Sequence, residues 1–151
     1  MNEPTVYGDP SGLLKTKFSW IVGDQWSVGR TELNPLDIKP ECKEGGKGSV
    51  CGESKWKLEF TVTAGVVIHP DRHCPAWSLA HESKHARMYF DYLIRSLYPL
   101  VAAEGKPYCS EGDCKAAAAR AMAEAGKIFM SQYWPQKHTP FRYIPCVIDW
   151  Y

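Results

Sequence analysis

"WKLEFTVTAGVVI", residues 56–68, alternates apolar and polar side chains over most of its length. Trp56, Leu58, Phe60, Val62, Ala64, Val66 and Ile68 occupy every second position, with Lys57, Glu59, Thr61 and Thr63 between them. A period of two turns successive side chains to opposite faces of a strand, so that one face meets a core and the other meets water. Such alternation belongs to an antiparallel or edge strand more than to a strand covered on both faces. Gly65 interrupts the pattern and marks a bulge or bend.

After this strand the period changes from two to that of a helix. Pro75, favoured at a first helical position, opens a predicted helix that runs to about Tyr98, with Pro99 as its stop and Asp71 and Cys74 as the nearest capping candidates. A second helix is predicted from Lys115 to about Tyr133, with Asp113 as capping candidate, a run of alanines inside it and Pro135 beyond its end. Before the strand, residues 34–54 carry Pro35, Pro40, Gly45, Gly46, Gly48 and Gly52 and read as a long polar insertion. Residues 18–33 hold short apolar-aromatic pieces that suit one or two short strands, and residues 1–16 read as an irregular lead-in. The tail "FRYIPCVIDWY", residues 141–151, is apolar and reads as extended.

These elements give an α+β class: a twisted, mostly antiparallel sheet packed on the first helix and on a second, C-terminal one. At 151 residues the chain is expected to form one domain, 1–151, which removes roughly two thirds of its unfolded surface from water. Mean hydropathy of -0.36 with 44% hydrophobic residues fits a water-soluble chain, and no apolar run approaches the roughly 20 residues of a bilayer span. Eighteen Lys and Arg against 17 Asp and Glu give no concentrated positive surface for nucleic acid. A monomer is expected.

The six cysteines, Cys42, Cys51, Cys74, Cys109, Cys114 and Cys146, include no C-x-x-C pair, which favours disulfides over a thiolate metal site. The short loops 42–51 and 109–114 each suggest a local bridge, leaving Cys74 for Cys146. Oxidised cysteines imply a secreted or periplasmic protein. The stretch MNEPTVYGDP lacks the basic and apolar regions of a signal peptide, so an exported form is expected to begin after a removed leader.

The first predicted helix carries "LAHESKHARMYFDY", residues 79–92. Residues four apart on a helix lie about 40° apart around the axis, so His81 and His85 project from one face and can grip one metal ion. Glu82, about 100° away, is suited to deprotonating a water rather than to ligating the metal. Leu79, Ala86, Phe90, Leu93 and Leu97 form an apolar side, and Lys84, Arg87, Asp91 and Arg95 a charged one. The histidines fall between these strips beside Met88 and Tyr92, where a cleft wall belongs. Chance alone would supply about one HExxH per hundred shuffled chains of this composition. The plain alternative is two histidines hydrogen-bonded on a helix surface.

"HESKH" within "WSLAHESKHARMYFDYL", preceded by an alternating strand, resembles the active-site helix of the zincin metallopeptidases. The resemblance implies a zinc enzyme in which a sheet edge strand holds an extended peptide over the metal, the role that residues 56–68 match by position. A nearer likeness is to a group of short bacterial proteins, largely uncharacterised and treated as zinc proteases. They carry HExxH, a second helix and a Tyr-Asp-x-x-Thr-x-His tail. The corresponding "QYWPQKHTP", residues 132–140, has Trp134 in place of the Asp, and Tyr133 to His138 is one residue shorter.

A catalytic zinc takes three protein ligands and leaves a position for water. Beyond His81 and His85 the candidates are His138 and Glu124, the latter by resemblance to zincins that draw a glutamate from a following helix. Ala118, Met122, Ala125 and Phe129 define the apolar side of the second helix, and helix geometry turns Glu124 away from it, beside Arg120 and Lys127. Tyr133 is a candidate donor to a developing oxyanion, or else packs at a helix end. His69 and His73 are also four apart, but Pro70 between them argues for loop histidines. The expected function is hydrolysis of a peptide or protein substrate by a zinc-activated water with Glu82 as general base. The rival is a non-catalytic secreted module that binds a peptide or partner, its metal structural or absent. A further rival is a disulfide-rich interaction domain that makes its contacts through 34–54.

Overall fold

The computed structural model describes residues 14–45 and 55–133. Its longest strand is the alternating stretch, running Trp56–His69. Leu58, Phe60, Val62, Ala64, Val66 and Ile68 are all buried on one side of it, none more than 3% exposed. In chain order the elements are β1 (Lys15–Val22), β2 (Arg30–Leu33), β3 (Asp37–Glu44), β4 (Trp56–His69), α1 (Pro75–Ser96), α2 (Tyr98–Glu104) and α3 (Glu111–Tyr133).

The sheet is mixed. β1 runs parallel to β4, Lys15 opposite Thr61 through Val22 opposite Ile68. On the other side β2 and β3 pair antiparallel with β4, end to end. β4 is therefore central rather than an edge. Its alternation survives because the helices pack on one face of the sheet, while the other carries a charged lattice. There the Glu59 carboxylate lies 3.3 Å from Lys15 Nζ, 3.3 Å from Lys43 Nζ and 3.5 Å from Lys57 Nζ.

Leu33 stands opposite Val66 and Asp37 opposite Thr63, so residues 34–36 face only Ala64 and Gly65. That is a bulge of one extra residue on the 34–36 side, and Gly65 stands opposite it for a steric reason: a Cβ there would collide with Ser19 Oγ and the Asn34 amide. The expected polar insertion thus contains a strand, β3. Pro40 is tolerated in it because β3 is an edge strand and its missing donor faces away from β4. The backbone groups of the opposite residues point the other way, as the mutual Trp56–Tyr108 backbone pair and the Phe60 N–H to Glu104 Oε1 bond (2.5 Å) demonstrate.

α1 begins at Pro75 as expected, but neither capping candidate acts as one. Cys74 is the N-cap residue without a side-chain cap bond, and the Asp71 N–H donates to Ser78 Oγ at 2.6 Å. Pro99 does not end the helical region: it falls in the first turn of α2, where a missing N–H costs nothing. α3 begins at Glu111 rather than Lys115, and its cap is Ser110, whose hydroxyl accepts from the Asp113 N–H at 3.1 Å. Asp113 itself lies inside the first turn.

One hydrophobic cluster joins sheet and helices. Phe90 of α1 meets Phe18 and Trp20 of β1 at ring separations of 5.4 and 6.4 Å, and Tyr89 meets Phe129 of α3 at 5.7 Å. Ala117, Ala118, Ala121 and Ala125 are the buried small residues of α3, and they let it lie close to its neighbours.

A Cys42–Cys114 disulfide ties β3 to the start of α3. It replaces the expected 42–51 and 109–114 bridges. Cys42 shares the core-facing side of β3, opposite Leu58, and the helix carries Cys114 inward until it is fully buried, so the cysteines adjacent in space are far apart in sequence. Cys74 and Cys109 are also disulfide-bonded. The expected 74–146 pairing lies outside the described residues, as does the tail. No helix among the described residues is long and apolar enough to cross a membrane.

Candidate metal centre

α1 presents Trp77, His81 and His85 at successive spacings of four, in one row along the helix. The Trp77 and His81 rings stack at 5.1 Å and 14°, while His81 and His85 meet edge to face at 5.1 Å and 74°. His81 is buried and His85 half-buried. The Nε2 atom of His85 is enclosed, with no hydrogen-bond partner among the described residues, and its ring is held against that of His81.

The ring spacing is compatible with two imidazoles sharing one zinc ion. With a metal–nitrogen distance of about 2.1 Å each ring centroid lies about 3.2 Å from the ion, and a tetrahedral angle then sets two ligating rings about 5.2 Å apart. The observed 5.1 Å agrees.

Glu82 is 9% exposed, with its carboxylate beside β2. Thr31 Oγ1 lies 2.6 Å from Glu82 Oε2 and 3.1 Å from the Glu82 backbone carbonyl. One hydroxyl has one proton, and the shorter, charge-assisted contact to the carboxylate is the stronger. Burial pushes the Glu82 carboxyl above its ordinary value; the Thr31 hydrogen bond and the charge of His81 oppose that rise.

Thr31 was not among the candidates. It sits on a four-residue strand of mixed polarity, 51 positions before Glu82, and no local pattern marks it. Its backbone is also informative. Thr31 pairs with Ile68, whose carbonyl accepts from Gly23 on the β1 side, so the Thr31 N–H and C=O turn away from β4. Leu33, two residues on, has the same orientation.

The other histidines lie elsewhere. His69 is the last residue of β4 rather than a loop residue. It projects to the face opposite the core, stacks on Trp26 at 3.7 Å and donates from Nδ1 to the Asp24 carbonyl at 3.0 Å. His73 is exposed, its Nδ1 3.0 Å from the buried Asp71 carboxylate. Glu124 is exposed on α3, on the side that helix geometry assigned to it. Tyr133 is the last residue of α3, and its side chain lies outside the described residues, as does His138. Among the described residues no group of three His, Cys, Asp or Glu side chains is arranged to hold a metal.

No protein-family model matches the chain, and no curated protein or solved structure matches it either.

Proposed function

We propose that this protein is a secreted or periplasmic zinc peptidase of zincin type, in which His81 and His85 hold the metal with His138 as third ligand and Glu82 serves as general base. The observation that carries the reading is the pair of imidazoles 5.1 Å apart on one face of α1, with a buried carboxylate in the same turn. Zinc, when bound, lowers the pKa of its water to about 7 and polarises a carbonyl oxygen.

The chain's own residues supply the rest. Glu82 takes the proton of the attacking water on a carboxylate oxygen and delivers it to the leaving amine. Trp77, stacked on His81, limits the rotation of that ring. β2, rather than β4, is the edge strand nearest the motif, and the outward N–H and C=O of Thr31 and Leu33 suit an extended peptide added alongside it. Tyr133 remains the candidate for steadying the oxyanion. The Cys42–Cys114 bridge supports the exported location.

The test is metal content and proteolysis together. Purified or zinc-reconstituted protein binds one zinc per chain by elemental analysis and cleaves an unstructured protein such as casein. Glu82→Gln keeps the zinc and loses about 10²–10⁴-fold in turnover, whereas His81→Ala loses the zinc. Zinc bound without any hydrolysis, or full activity in Glu82→Gln, overturns the reading; the first outcome would favour the non-catalytic binding module.

A further inference from the structure

We propose that Thr31 is a positioning residue for Glu82, fixing its carboxylate in the helical turn that bears the two imidazoles and tying β2 to the base. The inference rests on the peptidase reading for its catalytic consequence, but its structural content stands apart from it.

Three observations carry it. The Thr31 hydroxyl lies 2.6 Å from Glu82 Oε2 and 3.1 Å from the backbone carbonyl of the same residue, so one side chain meets both the reacting group and the helix turn that bears it. The backbone of Thr31 is held independently of α1, because β2 is paired to β4, with Arg30 opposite His69 and Glu32 opposite Val67. Gly29, which leads into β2, lies so close to Ser78 and Asp71 that a Cβ there would come 3.3 Å from Ser78 Cβ, keeping the start of β2 against the first turn of α1. A glutamate side chain has three rotatable bonds before its carboxylate, and a base that wanders by about 1 Å loses about 10²-fold in rate. The hydroxyl removes that freedom. Thr31 also turns its own N–H and C=O outward, so the residue that steadies the base is the one beside which an added peptide backbone would run.

The test uses the full chain loaded with zinc and three variants. Thr31→Val keeps the shape and lacks the hydroxyl, Thr31→Ala lacks both methyl and hydroxyl, and Thr31→Ser keeps the hydroxyl alone. A positioning hydroxyl predicts that Val and Ala both lower kcat about 10–100-fold with KM within about twofold and zinc stoichiometry unchanged, while Ser retains wild-type turnover. Crystal structures of the Val and Ala variants then have the Glu82 carboxylate displaced from its wild-type place. A purely packing role for the methyl predicts the reverse order, Val near wild type and Ser impaired, and overturns the proposal. So does a Glu82 carboxylate that stays in place without the hydroxyl, or failure of both hydroxyl-free variants to fold, which would make the contact structural. If wild-type protein hydrolyses nothing yet the carboxylate moves in the variants, the positioning stands and the peptidase reading fails.

Discussion

Glu104→Ala tests how the unpaired end of β4 is sealed. β1 begins at Lys15, opposite Thr61, so residues 56–60 have no strand partner on that side among the described residues. The Trp56 backbone is met by Tyr108, and the Phe60 N–H donates to Glu104 Oε1 at 2.5 Å. Phe60 has no exposed surface, so truncating Glu104 removes the acceptor of a largely buried amide. A hydrogen bond to a charged acceptor contributes about 1.5–3 kcal/mol. In a chain of this size each kcal/mol shifts Tm by about 2–4 °C, so a loss of about 2 kcal/mol lowers Tm by about 4–8 °C. Glu104→Gln keeps an oxygen acceptor at the same reach and should lose less than half as much. Urea unfolding gives the free energy, and amide hydrogen exchange read at Phe60 gives the local effect: its protection should fall selectively in the Ala variant. If Glu104→Ala unfolds within about 0.5 kcal/mol of wild type and the Phe60 amide stays equally protected, the sealing argument is wrong.

Other perturbations follow from the same geometry. Replacing Cys42 and Cys114 together by Ala reopens a loop of sequence separation 72. Chain entropy puts the cost at up to about 4 kcal/mol, reduced because the cross-links at Cys74 and Cys109 already restrict the unfolded chain, and urea midpoints measure it. Lys15 and Lys43 hold the Glu59 carboxyl below its ordinary 4.5, so its contribution is present above that value and is lost as pH falls through the lower folded value. Glu59→Gln should therefore flatten the acid limb of a stability–pH curve, and added salt should do so in part, since the lysines are exposed. Burial holds the Glu82 carboxyl above its ordinary value, which costs stability at neutral pH in the metal-free protein. Glu82→Gln should raise the urea midpoint of the zinc-free chain, and an unchanged or lowered midpoint would count against this account.

The elements legible in the sequence are those whose own residues carry the period. β4 alternates because its outer face stays polar, and α1 separates its apolar and charged sides as its helix angle requires, with Lys84, Arg87, Asp91 and Arg95 all exposed. Gly65 was recognisable because only a bulge or close approach calls for glycine inside such a strand. β3, "DIKPECKE", was not, since its core face offers only Ile38, Pro40 and Cys42, and pairing with β4 together with the bridge to Cys114 makes it a strand. Pro99 carries two opposite local meanings, stop and first turn, and tertiary packing of the buried Leu100 and Ala103 selects the second. The parallel direction of β1 and the partner of Cys42 depend on contacts far apart in sequence and leave no local trace. Within the site, His81, Glu82 and His85 share one helical turn and could be read together. Thr31 could not, because its role exists only once β2 is laid against α1.

That division bears on what the buried carboxylate is for. A helix needed only to cover the sheet would be more stable with an apolar or amide side chain at position 82, since an ionised group taken out of water loses more than one neutral hydrogen bond returns. Among the described residues no Lys or Arg pairs with it: a threonine hydroxyl holds it, and a histidine pair stands in the same turn. Natural chains break a local stability rule at few places, and those places are most often sites of chemistry. Glu82 breaks such a rule, which supports the proposed reading, and its hydrogen bond to Thr31 directs the carboxylate. A salt bridge from Lys or Arg would have made the carboxylate a weaker proton acceptor; a hydroxyl fixes the direction of the oxygens and leaves them able to accept a proton, as the proposed role requires.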